Sequence, residues 1–235
     1  MNAGQRASST SGPRLSSALT SVFAEVPVIA SLIGPQRLQN FLGAPAAMCI
    51  LASVPVGHLP RIVPLLGNAG KTVFVNVDSC PGLAQDKGAL EFLKAIGAHG
   101  AVSTRLSLME KGRPLGLLTM QKVFVTDRNN MRRSTDAIAR GGPDLVEIMP
   151  SPIVARMTPE AKRAMSPFVA AGFIETAADA AAALAQGAVA VATSDPRLWD
   201  LRRDTLTARV PPPPTTGSAP TGTDPTPSDP RRDTP

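Results

Sequence analysis

The 235 residues suffice for one large α/β domain or two small ones, and 43% are apolar although only 3% are aromatic, with no tyrosine and one tryptophan, Trp199. Such a Val, Ile, Leu and Ala core suits a parallel sheet covered by helices. The formal charge of +6 includes +2 from residues 1–20 and +1 from residues 201–235, and the +3 left in the middle is too small for overall charge to argue nucleic-acid binding.

Residues 1–20 are rich in Ser, Thr, Gly and Ala without periodicity, and are expected as a flexible arm outside the fold. VPVIASLIG (26–34) and AAMCILAS (46–53) read as the first two strands. Leu59 to Leu66 reads as a short helix interrupted by Pro60 and Pro64. TVFVNVDS (72–79) is a buried strand with Asp78 near its C-terminal end. A helix from Asp86 to Ile96 follows, with Leu90, Leu93 and Ile96 on one side. HGAVSTR (99–105) is a fourth strand ending in Arg105, and residues 115–127 contain a fifth before a helix from about Asn129 to Arg140. DLVEIMPS (144–151) is the sixth.

The run PFVAAGFIETAADAAAALAQGAVAVATSDPRLWDL (167–201) is the most informative. Its order is strand, helix, strand, helix, as in βαβ units. Thr176 is a plausible N-cap with Asp179 in the first turn, and Gly187 suits the left-handed stop. Gly172 leaves room for a ligand against bare backbone. Thr193, Ser194 and a helix expected to begin at Pro196 make an anion site of the kind that barrels place after their seventh and eighth strands. The plain alternative is a turn glycine and a capping serine.

Eight strand candidates point to a (β/α)8 TIM barrel over residues 21–205, followed by a disordered Pro-rich tail, 206–235. An open doubly wound sheet is the runner-up, but no glycine-rich dinucleotide fingerprint follows an early strand. Cys49 and Cys80 make neither a disulfide framework nor a metal-ligand spacing. The N-terminus lacks a signal-like apolar segment and no stretch is long and apolar enough to span a bilayer, so the expectation is a cytoplasmic protein with no membrane partner.

Function in such a barrel sits at the C-terminal strand ends, where Asp78, Arg105, Gln121, Lys122, Glu147 and Gly172 fall. Glu147, inside LVEIM, needs either an internal partner in Lys122 or Arg105, or a ligand hydroxyl. From Arg105 to Arg133, seven Lys/Arg stand against Glu110 and Asp127. With Arg105 and Lys122 in the mouth, the other five (Lys111, Arg113, Arg128, Arg132 and Arg133) are expected along the rim, able to meet an RNA backbone. A solvated helix face is the competing reading. Scarce aromatic residues argue against base-stacking platforms. An enzyme is the second class considered, with Glu147 as general base and Lys122 or Arg105 stabilising negative charge. Without a paired acid and base, the chain is read as a non-enzyme, with no catalytic set and no metal.

In order and spacing, VNVDSCPGLAQDKGALEFL, HGAVSTR, MQKVFVTD, PDLVEIMPS, AAGFIET and VATSDPRLW closely resemble the glycerol-3-phosphate-responsive antiterminators of the glycerol uptake operon. The resemblance spans Val26 to Leu201. It implies a TIM barrel that binds glycerol 3-phosphate and then a leader mRNA, preventing early termination, and no cofactor besides that ligand. It places Asp78, Ser103, Arg105, Gln121, Glu147, Gly172, Thr193 and Ser194 at the ligand end, with Lys122 beside them. The family usually has glycine where this chain has Ala171 and a basic residue where it has Glu175; both changes are expected to weaken anion binding if they face the site. Self-association into a homo-oligomer stays open at this stage.

Overall fold

The computed structural model describes residues 17–208. In chain order the elements are α1 (Ser17–Glu25), β1 (Val28–Ile33), α2 (Leu38–Gly43), β2 (Met48–Ala52), α3 (Leu59–Asn68), β3 (Thr72–Asn76), α4 (Lys87–Ala95), β4 (Gly100–Ser103) and α5 (Leu106–Gly112). They continue as β5 (Leu118–Phe124), α6 (Arg128–Gly141), β6 (Leu145–Met149), α7 (Pro159–Ala164), β7 (Phe168–Ala171), α8 (Ala177–Ala185), β8 (Ala190–Thr193) and α9 (Arg203–Thr207). The strands are parallel and close in sequence order, β8 pairing with β1 through Val28↔Val191 to Ala30↔Thr193. This is the expected (β/α)8 barrel.

The strands read as apolar runs because both faces are buried. Alternate residues, among them Ile29, Met48, Ile50, Phe74, Val102, Met120, Leu145, Val169, Ala190 and Ala192, fill the barrel interior. Their neighbours, including Val73, Val75, Ala101, Val123, Val146 and Ile148, pack under the helices. This two-residue alternation decides which polar side chains reach the mouth.

Local signals act where expected. Asp86 caps α4, Asp127 caps α6, and Thr176 with Asp179 forms a capping box on α8. Gly187 takes a φ of +100°, ending the α8 turn. The two prolines do not interrupt α3. Pro60 lies in its first turn and Pro64 is accommodated inside it, with Leu59, Ile62, Val63 and Leu66 buried against the core.

Both ends of the expected barrel domain shift outward. α1 begins at Ser17, inside the segment expected to be a flexible arm, and sends Leu19 and Phe23 into the barrel interior at 1% and 2% exposure. That apolar pair closes the N-terminal end of the barrel. At the other terminus α9 buries Leu206, so the core continues past residue 205. The remainder of the expected arm (1–16) and tail (209–235) lies outside the described residues.

Candidate ligand site at the barrel mouth

The C-terminal ends of the strands enclose a cavity of about 280 Å³. β1 contributes Ser31 and Ile33, β3 Asn76, β5 Lys122, β6 Glu147 and Met149, and β7 and β8 lead to a wall of Gly172–Glu175, Thr193 and Ser194. At its floor, Glu147 is 3% exposed and faces Lys122 across the β5–β6 ladder, where the two residues are register partners. Lys122 Nζ lies 3.1 Å from Glu147 Oε2. The contact is within ion-pair range but not aligned as a hydrogen bond, so Oε2 keeps unused acceptor capacity. Burial pushes the Glu147 carboxyl above its ordinary pKa, and the Lys122 charge opposes that without cancelling it. Asn76 Oδ1 accepts the Asp78 N–H at 3.1 Å, leaving its Nδ2 donor for the cavity.

The neighbouring wall, after β7 and β8, is rich in donors. Gly172 (φ +77°) and Phe173 (φ +57°) turn the chain sharply after β7. The N–H groups of Phe173 and Ile174 meet no acceptor among the described residues, and neither do the N–H and hydroxyl of Ser194. Thr193 also lines the wall, but its hydroxyl donates to the Ile174 carbonyl at 2.8 Å and accepts the Asp195 N–H at 3.2 Å. Thr193 therefore ties the β7 and β8 loops together. Ala171 and Glu175 do border the cavity, the first buried and the second exposed.

The helix expected at Pro196 is instead a single 3-10 turn, Pro196–Leu198. Asp195 takes the Arg197 N–H at 3.0 Å and pairs with the Arg197 guanidinium at 2.5 Å. The Arg197 side chain holds the Asp195 carboxyl down at about 2. This turn supplies no free helix N-terminus to an anion. A cation reaches the β8 loop from elsewhere: Arg37, just before α2, donates to the Ser194 carbonyl.

Of the nine residues expected at the ligand end, the structure brings Lys122, Glu147, Gly172, Thr193 and Ser194 to this cavity. Asp78 is engaged next door. It accepts the Ser103 hydroxyl and the Thr104 N–H, both at 2.6 Å, and the Thr104 hydroxyl at 2.9 Å. Ser103 in turn accepts the Arg105 N–H, while Arg105 itself is exposed at the start of α5. Gln121 points to the outer face of β5, one residue out of phase with Lys122. Sequence reasoning missed Ser31, Asn76 and Arg37. The first two share the inward phase of Ile29 and Phe74, which barrel closure sets and the doubly buried strands do not announce; nothing local links Arg37 to Ser194.

The five basic residues do not form one rim. Arg128, Arg132 and Arg133 lie exposed on the mouth-proximal half of α6. Lys111 lies in the last turn of α5, and the Arg113 guanidinium sits beside Gly142, beyond the far end of α6. A 14-residue helix spans roughly 20 Å, so this charge runs down the flank of the barrel.

A family profile described as glycerol-3-phosphate responsive antiterminator matches residues 28–199. The uncharacterized protein YgcP of Escherichia coli K12 is 28% identical over 184 residues, which cover 77% of this chain and 95% of that protein. The glycerol uptake operon antiterminator regulatory protein of Listeria monocytogenes superposes with a TM-score of 0.65 at 26% identity, covering 72% of this chain and 94% of that one. A glycerol uptake operon antiterminator-related protein of Thermotoga maritima gives 0.66 at 25% identity, covering 74% and 98%. The deoxyribose phosphate aldolase of Aeropyrum pernix, at 16% identity, shares the fold.

Proposed function

We propose, from a chain that belongs to the glycerol-3-phosphate responsive antiterminator family, that the barrel mouth binds glycerol 3-phosphate and that the liganded protein binds a leader mRNA in the cytoplasm. The observation that carries the ligand reading is the division of the cavity. Phe173, Ile174 and Ser194, whose N–H groups have no partner among the described residues, line one part of it, and the Lys122–Glu147 pair and Asn76 line another. A phosphate takes the donor wall, as in other barrels with phosphate held after strands seven and eight. The glycerol hydroxyls donate to Glu147 and accept from Asn76. Arg37 adds a nearby positive charge, which offsets the exposed Glu175.

Regulation rather than turnover is favoured because Glu147 is, among the described residues, the one buried carboxyl lining the cavity and already faces Lys122. For the RNA, the mouth-proximal arginines of α6 offer phosphate contacts.

Calorimetric titration with glycerol 3-phosphate tests the ligand site. Gly172→Asp, in a left-handed conformation that Asp tolerates better than most residues, should lower affinity roughly tenfold or more, the equivalent of one charge-assisted contact. Glu147→Gln should reduce the preference for glycerol 3-phosphate over inorganic phosphate. Unchanged affinity in Gly172→Asp rules out this placement, and turnover of the three-carbon phosphate by wild type would make the protein an enzyme.

A further inference from the structure

On the outer face of β5 a second cavity, of about 310 Å³, opens toward the N-terminal half of α6 and includes Gln121, Phe124, Asn130, Arg133 and Ser134 in its lining. It lies at the small end of ligand-sized pockets, roughly 300–1,000 Å³. Two oxygens here have no hydrogen-bond partner, Gln121 Oε1 and Asn130 Oδ1. The orientation of the Gln121 amide is set by its other end. Nε2 donates to the Thr104 carbonyl at 2.7 Å and lies 3.4 Å from the Lys122 carbonyl. The amide oxygen of this 6%-exposed side chain is therefore an acceptor without a donor, a costly arrangement that a ligand donor relieves. Both oxygens are shielded from solvent, Gln121 Oε1 on β5 and Asn130 Oδ1 on the first turn of α6. The fully buried residues of α6 lie in its second half, and its first two turns are held by the half-buried Met131 and the Asp127 cap. Two cations line the opening: Arg133 and Lys122, which borders both this cavity and the mouth, while Arg128 turns to the other flank of α6.

We propose that this cavity takes one unpaired RNA base, whose amino group donates to Gln121 Oε1 and Asn130 Oδ1 while Arg133 meets the adjoining phosphate. The assignment rests on the RNA-binding reading above. An exocyclic amine carries two N–H donors and can satisfy both oxygens. Adenine, cytosine and guanine have one and uracil has none. Unstacked bases present such edges in single-stranded segments, and the 51%-exposed Phe124 offers a ring face beside them. With aromatic residues so scarce, edge hydrogen bonds carry the preference and stacking supports it.

Fluorescence anisotropy with short labelled oligo(A), oligo(C) and oligo(U) RNAs, in saturating glycerol 3-phosphate and with the full chain, tests this. Wild type should bind oligo(A) and oligo(C) more tightly than oligo(U). Gln121→Leu and Asn130→Ala should each shrink that ratio roughly three- to tenfold, as loss of one hydrogen bond requires. Asn130→Ala keeps the backbone N–H that Asp127 caps, so at least one variant leaves the helix start intact. Arg133→Ala should weaken all three RNAs alike and preserve the ratio. If the ratio survives in folded Gln121→Leu and Asn130→Ala while an Arg128, Arg132 and Arg133 triple alanine variant loses salt-dependent binding, the base pocket is wrong and the RNA reading stands. If wild type binds none of the RNAs, both fall. Saturable binding of adenosine 5′-monophosphate as tight as that of oligo(A) would reassign the cavity to a free nucleotide and overturn the RNA assignment.

Discussion

Two lysines occupy opposite ends of the barrel and are used differently. Lys71, before β3, is nearly buried at the closed end and donates to the carbonyls of Ala44 and Ala46 at 2.6 and 2.9 Å. Its ammonium also lies 4.7 Å from the Phe41 ring centroid. Arg203 behaves similarly there, bracing the carbonyls of Phe23 and Val189. Lys122, at the open end, meets a carboxylate at the floor of a cavity whose neighbouring wall holds unpartnered donors. At the closed end, cations are engaged by main-chain oxygens and apolar side chains fill the space between. The open end keeps hydrogen-bonding capacity that the fold does not consume. The first arrangement stabilises; the second suits a ligand.

Breaking the closed end should cost stability and spare the mouth. Phe23→Ala should destabilise by about 3–5 kcal/mol, the usual range for a buried aromatic, read from denaturant midpoints, with glycerol 3-phosphate affinity unchanged. Removing residues 1–20 takes Leu19 with it and should also lower the melting temperature, although the sequence alone presents that segment as dispensable. An unchanged midpoint in either protein would mean that α1 does not seal the barrel.

Lys71→Met keeps the aliphatic stem but strips two carbonyls of their donor, and should cost about 1–3 kcal/mol. Burial lowers the Lys71 pKa. A lysine whose folded pKa lies below its unfolded value loses stability as pH falls from the ordinary lysine range toward the folded value, and none of that loss is recovered lower down. A variant as stable as wild type would show that the clamp contributes nothing.

The smallest effect is expected at the mouth. The raised Glu147 carboxyl binds its proton more tightly in the folded chain, so stability declines as pH rises from the ordinary carboxylate range through the folded value. Glu147→Gln mimics the protonated form and lacks this slope. The two proteins should melt together in acid, and the variant should melt higher at neutral pH. Parallel melting curves across that range would mean that burial does not strain the carboxylate.

What was legible in the sequence was legible for local reasons. Apolar runs marked the strands, and Asp86, Asp127, Thr176 and Gly187 marked helix ends because capping and left-handed turns depend on one residue and its near neighbours. Gln121 and Lys122 show the limit. Both looked like mouth residues, but a strand buried on both faces carries no apolar–polar alternation to say which one points inward. Closure of the barrel put Lys122 against Glu147 and turned Gln121 toward α6.

The chain by itself determined eight strands, their helical spacers, the turn at Gly172 and the acidic residue inside the sixth strand, since each follows from composition or spacing within a few residues. Only the tertiary structure decided that α1 closes the barrel, that Asp195 covers the turn once expected to hold an anion, and that Arg37 reaches Ser194 from 157 residues away. Those outcomes depend on contacts between distant segments. Local periodicity carries no record of which side chain a closed sheet will bring to another.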